Sequence, residues 1–171
     1  MATKRITFSM DSASIDKAIS ELNTYIEDVQ AKIGELVKAL TEHGAQIAMV
    51  KIAELGAVDT GELSDSIWGF YDEESHVGFI RSSAMYAVFV EYGTGIRGAN
   101  ESHPEMEGEW NPPGGWVYDH NDHGDHGWKY VSNRDGKLHW TKGMPSRPFM
   151  YETYKELQAM AHDVAVKIFS A

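Results

Sequence analysis

Three stretches of this 171-residue chain carry side chains that could do chemistry. Asp59-Thr60-Gly61 is the tripeptide in which an aspartic protease holds its catalytic aspartate, and that chemistry needs two such carboxylates sharing one proton. One copy is present here. Glu62 follows it where the protease motif continues with Ala or Ser, and no apolar-Gly-Arg-Asp/Asn segment comes later in the chain. Asp59 is better suited to start a helix. Asp59 and Glu62 have the spacing of a capping box, and Val58 and Leu63 occupy the positions of a hydrophobic staple.

The second stretch is Asp119-His120-Asn121-Asp122-His123-Gly124-Asp125-His126. Imidazoles and carboxylates are good ligands for zinc and similar ions, and clustering lets one loop close around an ion. The spacing is three by three in a glycine-containing loop, however, with no helix to hold two histidines on one face. A polar, weakly pH-responsive loop tip is the preferred reading. A metal-binding hydrolase using His120, His123 and His126 is the alternative, and no cofactor is expected.

The third is Tyr86-Ala87-Val88-Phe89-Val90-Glu91-Tyr92-Gly93-Thr94-Gly95, an apolar run that ends with a carboxylate among aromatics and a glycine stop. A buried charge is expensive unless it is paired or hydrogen-bonded. Glu91 is therefore expected to form a buried link with Arg147 or Arg81.

The elements that must position these residues are legible in outline. Residues 6–10 could form a short first strand. Apolar residues then fall at Ile15, Ile19, Leu22, Ile26, Val29, Ile33, Leu36 and Leu40, a four-three spacing that lays one stripe along a helix. Run straight to Leu55, that helix would be about 60 Å long. A break or bend near Gly34 or Gly44 is expected, with a projecting arm that packs against another subunit as the alternative. Trp68 to Tyr71 and His76 to Ile80 flank a polar turn and read as a hairpin. Residues 84–92 are too uniformly apolar for periodicity to decide between helix and strand, although Gly93 as a C-cap favours helix. Residues 96–128 are loop-like in composition, with Trp110, Trp116 and Tyr118 pointing to an ordered or partner-ordered flap. Trp128 to Val131 and Lys137 to Trp140 flank Asp135-Gly136 as a second hairpin. Pro148 opens a final helix whose stripe is Met150, Tyr154, Leu157, Ala161, Val164 and Ile168.

The expected architecture is α+β: a long N-terminal helix, an antiparallel sheet of two hairpins, and a C-terminal helix packed on the sheet. Residues 1–56 would form the strand and long helical segment, and residues 57–171 the α+β core with an acidic, His-rich insert at about 98–127. Composition agrees with a folded protein, since 42% of residues are hydrophobic and 11% aromatic. Without cysteine there is neither a disulfide framework nor a thiolate metal site. The start lacks an apolar signal core and no apolar run approaches the roughly 18 residues of a spanning helix, so the chain reads as soluble and cytoplasmic. A net charge of -11 argues against a general grip on nucleic acid. Most of that charge sits in the insert, where Glu101, Glu105, Glu107, Glu109, Asp119, Asp122 and Asp125 occur without any Lys or Arg.

Three short signatures stand in a fixed order. They are Val58-Asp59-Thr60-Gly61-Glu62-Leu63 with Ser66-Ile67, Tyr86-Ala87 with Val90-Glu91-Tyr92-Gly93-Thr94, and Pro145-Ser146-Arg147-Pro148-Phe149. Together, over roughly residues 47–169, they resemble the neck or tail-completion proteins of long-tailed bacteriophages and prophages, the minor tail protein Z-like family. That resemblance implies a structural virion protein without catalysis, assembled in the host cytoplasm and joining or completing the tail at the head. It implies a homo-oligomeric ring of hexameric symmetry, other neck and tail proteins as partners, DNA passing through a channel, and no membrane. By the same resemblance Asp59, Thr60, Gly61 and Glu62 start a helix, Tyr86, Glu91, Gly93 and Thr94 form a structural corner, and Arg147, Pro148 and Phe149 set the last helix. The acidic insert departs from the family pattern and would serve a member-specific contact. A protein-binding module that forms no ring is a further alternative.

Overall fold

A computed structural model describes residues 5–107, 115–132 and 134–170. Glu109 and Trp110 of the insert lie outside those residues. In chain order the elements are α1 (Ser12–Glu54), α2 (Glu62–Asp65), β1 (Ile67–Asp72), β2 (Val77–Ser82), α3 (Ala87–Tyr92), α4 (Gly95–Asn100), β3 (Trp128–Val131), β4 (Leu138–Thr141) and α5 (Phe149–Ser170). Short 3-10 turns occur at Pro104–Glu107 and Gly124–His126. The α+β architecture is the one expected. Each hairpin is its own two-stranded antiparallel sheet.

Helix α1 corrects two expectations. Residues 6–10 form no strand. The helix itself is unbroken for 43 residues, about 65 Å at 1.5 Å per residue. Asp11 caps its start, its carboxylate accepting from Ser14 N–H at 2.9 Å. At its end Gly56 takes a left-handed φ of 63°, with Gly56 N–H on Ala53 O and Ala57 N–H on Ile52 O. This is the hydrogen-bond pair of a Schellman stop.

The two glycines that suggested a break are sites of close approach instead. A Cβ on Gly34 would lie 2.7 Å from the Tyr71 hydroxyl, and one on Gly44 would lie 2.2 Å from Ile80 Cδ1 and 2.8 Å from Leu157 Cδ1. Both β2 and α5 therefore reach the helix where it has no side chain. The first hairpin uses the same device from its own side. Gly69 and Gly78 face α1, and a Cβ on Gly78 would fall 2.0 Å from Thr41 Oγ1. Thr41 is buried and bonds back to Val37 O at 2.8 Å.

Helix α5 runs antiparallel to α1, its Phe149 meeting the Ile52 end and its Leu157 meeting Gly44. Lys51 ties the two together, 3.0 Å from Glu156 and 2.9 Å from Glu54, and these carboxylates, Glu54 first, raise its ammonium to about 12. Leu157 and Ile80 are the point where α5 also meets the first sheet. Ala48, Ile52, Leu63, Ile67, Val90 and Phe149 form the fully buried apolar cluster among the described residues. It draws one or two residues each from α1, α2, β1, α3 and α5, and so joins those five elements at one point.

The hairpin β1–β2 pairs Ile67 with Ser82 through Asp72 with Val77. Alternation sends Ile67, Gly69 and Tyr71 toward α1 and Trp68, Phe70, Phe79 and Val77 outward. Hairpin β3–β4 pairs Trp128 with Thr141 through Val131 with Leu138.

Candidate functional site

The stretch around Glu91 becomes helix α3, six residues that end at Gly93 with φ 78°. Val90 and Glu91 are both buried. The carboxylate does not pair with Arg147 or Arg81, as the sequence had suggested. Its Oε2 accepts from Met150 N–H at 2.9 Å, and its Oε1 accepts from Tyr151 N–H at 3.0 Å and from His103 Nε2 at 3.1 Å. Arg81 instead lies over the Phe79 ring at 4.8 Å.

The reason is the start of α5. Pro148 has no polar side chain to cap the helix, and the first N–H groups of any helix lack partners within it. Phe149 N–H turns back to Arg147 O, and Glu152 N–H begins the regular ladder on Pro148 O. Met150 and Tyr151 are left over, and Glu91 satisfies both. A carboxylate at a helix N-terminus also meets the favourable end of the helix dipole, and bonds to an ionised acceptor are the stronger kind.

His103, 1% exposed, completes the site. Its Nδ1 accepts from Glu105 N–H at 3.2 Å, so the hydrogen sits on Nε2 and points at Glu91. The ring lies 4.6 Å from Tyr92 and meets Tyr151 edge-on at 5.3 Å. Trp116 extends the cluster, 5.3 Å from Tyr92 and 5.6 Å from Phe89, and donates its indole N–H to Gly93 O at 3.1 Å. Sequence reading missed both roles, because a histidine or tryptophan in a loop has no periodicity to betray what it touches. The available clue was chemical: a buried carboxylate needs a donor, and histidine is one.

Gly93-Thr94-Gly95 is the corner itself. Thr94 exchanges two backbone hydrogen bonds with Met144, at 2.9 and 3.1 Å, and Gly95 N–H donates to Tyr118 O at 2.6 Å. Ser146 Oγ donates to Glu91 O at 2.5 Å, and Arg147 N–H to Val90 O at 2.9 Å. A Cβ on Gly93 would stand 2.7 Å from Ser146 N, and one on Gly143 would stand 1.9 Å from Thr94 O. Chain crosses chain here with room for nothing beyond backbone.

The other candidate residues lie elsewhere. Helix α2 starts at Glu62 with Gly61, φ 91°, at the cap position and no side-chain cap. Asp59 therefore does not form the expected capping box. It is exposed, 3.7 Å from Arg134, and Thr60 Oγ1 approaches Glu62 N at 3.4 Å. Val58 is 53% exposed, so the staple is absent as well. Asp59, Thr60, Gly61, Glu62, Tyr86, Val90 and Arg147 do line one cleft of about 350 Å³, which brings parts of all three signatures together.

In the His-rich loop, Asp119 accepts from Gly124 N–H at 2.7 Å and from His123 Nδ1 at 2.9 Å. These bonds, the backbone one first, hold its carboxyl at about 2. His123 lies 4.9 Å from the Trp128 ring. Among the described residues no group of three or more His, Asp or Glu side chains is placed to hold a metal ion, and His120, His123 and His126 do not converge.

These residues belong to an α+β chain whose signatures build a buried capping carboxylate and a glycine corner. Residues 20–93 match the family model described as "Bacteriophage HK97-gp10, putative tail-component", so over that span the chain is similar to phage tail components, as its signatures suggested. The match begins inside α1 and stops at Gly93, which leaves Arg147, Pro148 and Phe149 outside it. The family is one of tail components and not of enzymes. No curated protein and no solved structure matches the chain.

Proposed function

We propose that the protein is a structural component of the phage neck or tail that completes the tail at the head by assembling into a homo-oligomeric ring. The observation that supports this is the outward face of β1–β2. Trp68, Phe70, Phe79 and Val77 are exposed together there, with Phe70 and Phe79 stacked at 6.4 Å and Trp68 edge-on to Phe70 at 6.5 Å. Contiguous apolar surface of this kind marks a protein contact. The chain exposes 11828 Å² in all, against about 8,400 Å² for a compact monomer of its 19.1 kDa. An extended, partly apolar surface fits a subunit completed by its neighbours.

A ring needs two different patches that meet head to tail and close. In this reading the aromatic face is one of them, other neck and tail proteins bind the ring's ends, and the protein's place is in the virion. The experiment is native mass spectrometry of the untagged protein beside Phe70→Asp. A closed oligomer that falls to monomer on substitution supports the reading, and a wild-type monomer that stays monomeric with its phage partners present overturns it.

A further inference from the structure

A ring contact joins two different patches, and the outward face of β1–β2 is one of them. The sheet β3–β4 offers another. Its register sets Lys129 opposite Trp140 and Val131 opposite Leu138, so these four side chains share one face. Val131, Leu138 and Trp140 are between 56% and 62% exposed there. Trp140 is fixed by its indole N–H on His126 O at 2.9 Å, and Lys142 lies over its ring at 5.7 Å. The result is an apolar strip bordered by ammonium groups.

Charge singles out this strip. Copies of a chain at -11 repel one another, so a contact between copies has to bring basic side chains to acidic ones. Residues 128–142 hold Lys129, Arg134, Lys137 and Lys142 against the one carboxylate of Asp135. Two other exposed apolar stretches lack that surplus. The α1 stripe from Ile19 to Ile33 is set among Asp16, Glu21, Glu27 and Asp28 with Lys17 and Lys32, and Met85, Val88 and Phe89 lie in a stretch, residues 84–96, whose one charge is Glu91.

Most of the basic groups are unclaimed. Arg134 approaches Asp59 at 3.7 Å, and Asp135 accepts from His139 and from Lys137 N–H. Lys129 shares a shallow pocket with Asp119, whose oxygens already accept from His123 and Gly124. Among the described residues Lys129, Lys137 and Lys142 have no ion-pair partner.

The outward face of β1–β2 is the complement. Phe70 and Phe79 stand opposite each other in it, and its turn end carries Asp72, Glu73 and Glu74. Asp72 is occupied with the turn, accepting from Ser75 Oγ and Glu74 N–H. Glu73 and Glu74 are exposed and have no ion-pair partner among the described residues. Arg81, the cation of this face, sits opposite Trp68, about 14 Å along the hairpin from Asp72, which leaves the turn end acidic.

We infer that the β3–β4 face of one copy docks on the β1–β2 face of the next, its Val131, Leu138 and Trp140 against the aromatic side chains and its lysines on Glu73 and Glu74. This rests on the ring proposed above and supplies the second, different patch that a head-to-tail contact requires. Exposed Val131 and Leu138 suit a protein surface better than a phosphate backbone, whose interfaces are more polar.

Native mass spectrometry tests the pairing by complementation. Leu138→Asp and Phe70→Asp should each be monomeric alone, and their mixture should give a one-to-one heterodimer without a ring, because each supplies the patch the other lacks. Lys129→Glu with Lys142→Glu should lose the ring, as should Glu73→Lys with Glu74→Lys, and a chain carrying all four exchanges should regain it. Unchanged far-UV circular dichroism checks the fold of each variant. A mixture that stays monomeric, or a fourfold variant that does not recover, overturns the inference. If Leu138→Asp keeps the parent's ring while Phe70→Asp loses it, this inference fails and the functional reading stands. If the lysine variant keeps the ring but loses duplex DNA that the parent retains, the strip is a DNA contact and the inference is again overturned. A parent protein that stays monomeric with its phage partners present removes both readings.

Discussion

His103 Nε2 and Glu91 Oε1 lie 3.1 Å apart in a site closed to solvent, and the same carboxylate holds the first turn of α5. One side chain of α3 thus joins the insert to the last helix. That double use sets the order of effects expected on substitution.

Glu91→Gln keeps the shape but replaces one acceptor oxygen by a donor, so one of the three inward-facing groups loses its partner. A loss of about 1–3 kcal/mol is expected. Glu91→Ala strands all three and should cost about 3–5 kcal/mol, the range for breaking a buried polar link. Urea unfolding at neutral pH measures both, and a Gln variant as stable as the parent would rule out the cap.

His103→Phe preserves the ring against Tyr92 and Tyr151 while removing the donor. It should cost about 1–3 kcal/mol, with Glu91 keeping its two helix contacts. Arg81→Ala should cost less, about 0.5–1 kcal/mol, because that guanidinium only covers Phe79. The reverse ranking in denaturation midpoints would restore arginine as the partner of Glu91.

At Gly44 two effects compete. Alanine gains about 1 kcal/mol of helix propensity. The new methyl would press on the ends of Ile80 and Leu157, and overpacking of this kind costs about 1–3 kcal/mol. The expected net is a small loss. Gly78→Ala gains no helix propensity and meets the short, branched Thr41, so it should lose more. Thermal unfolding of the two variants should show the Gly78 protein melting lower.

Asp119 is held below its ordinary value of 3.8, at about 2, chiefly by Gly124 N–H and then by His123. A depressed carboxyl stabilises its loop fully above the unfolded value and loses that contribution as pH falls through the folded one. The Asp119 side-chain carboxyl carbon signal in NMR should therefore titrate with a midpoint near 2. Asp119→Asn should abolish that transition, and a midpoint at 3.8 would show that the loop bonds do not form in solution.

Local chemistry made the hairpins, α3 and α5 legible from the sequence, because Asp135-Gly136, Gly93 and Pro148 each announce a turn or an end. The four-three stripe announced α1 as well. Its continuity was hidden because Gly34 and Gly44 look like breaks in one dimension, and only the arrival of Tyr71, Ile80 and Leu157 shows what they make room for. Asp59 failed as a cap for a related reason: Gly61 turns left-handed and starts the helix two residues later. Glu91 was recognisable as a buried charge in need of a partner. Which partner could not be read, since His103 and the α5 amides come to it from loops and ends without periodic signal.

The capping of α5 by Glu91 has a kinetic side. Met150 and Tyr151 wait for an acceptor 59 and 60 residues upstream, so the helix has no complete local start of its own. Closing a loop of that length costs entropy before any contact rewards it. Folding should then behave as a latch: α5 stays frayed at its first turn until the glycine corner has formed, and the corner gains its anchor in the same event. Such coupling makes the core rise and fall in one cooperative step, with the rate set by the encounter of two distant segments.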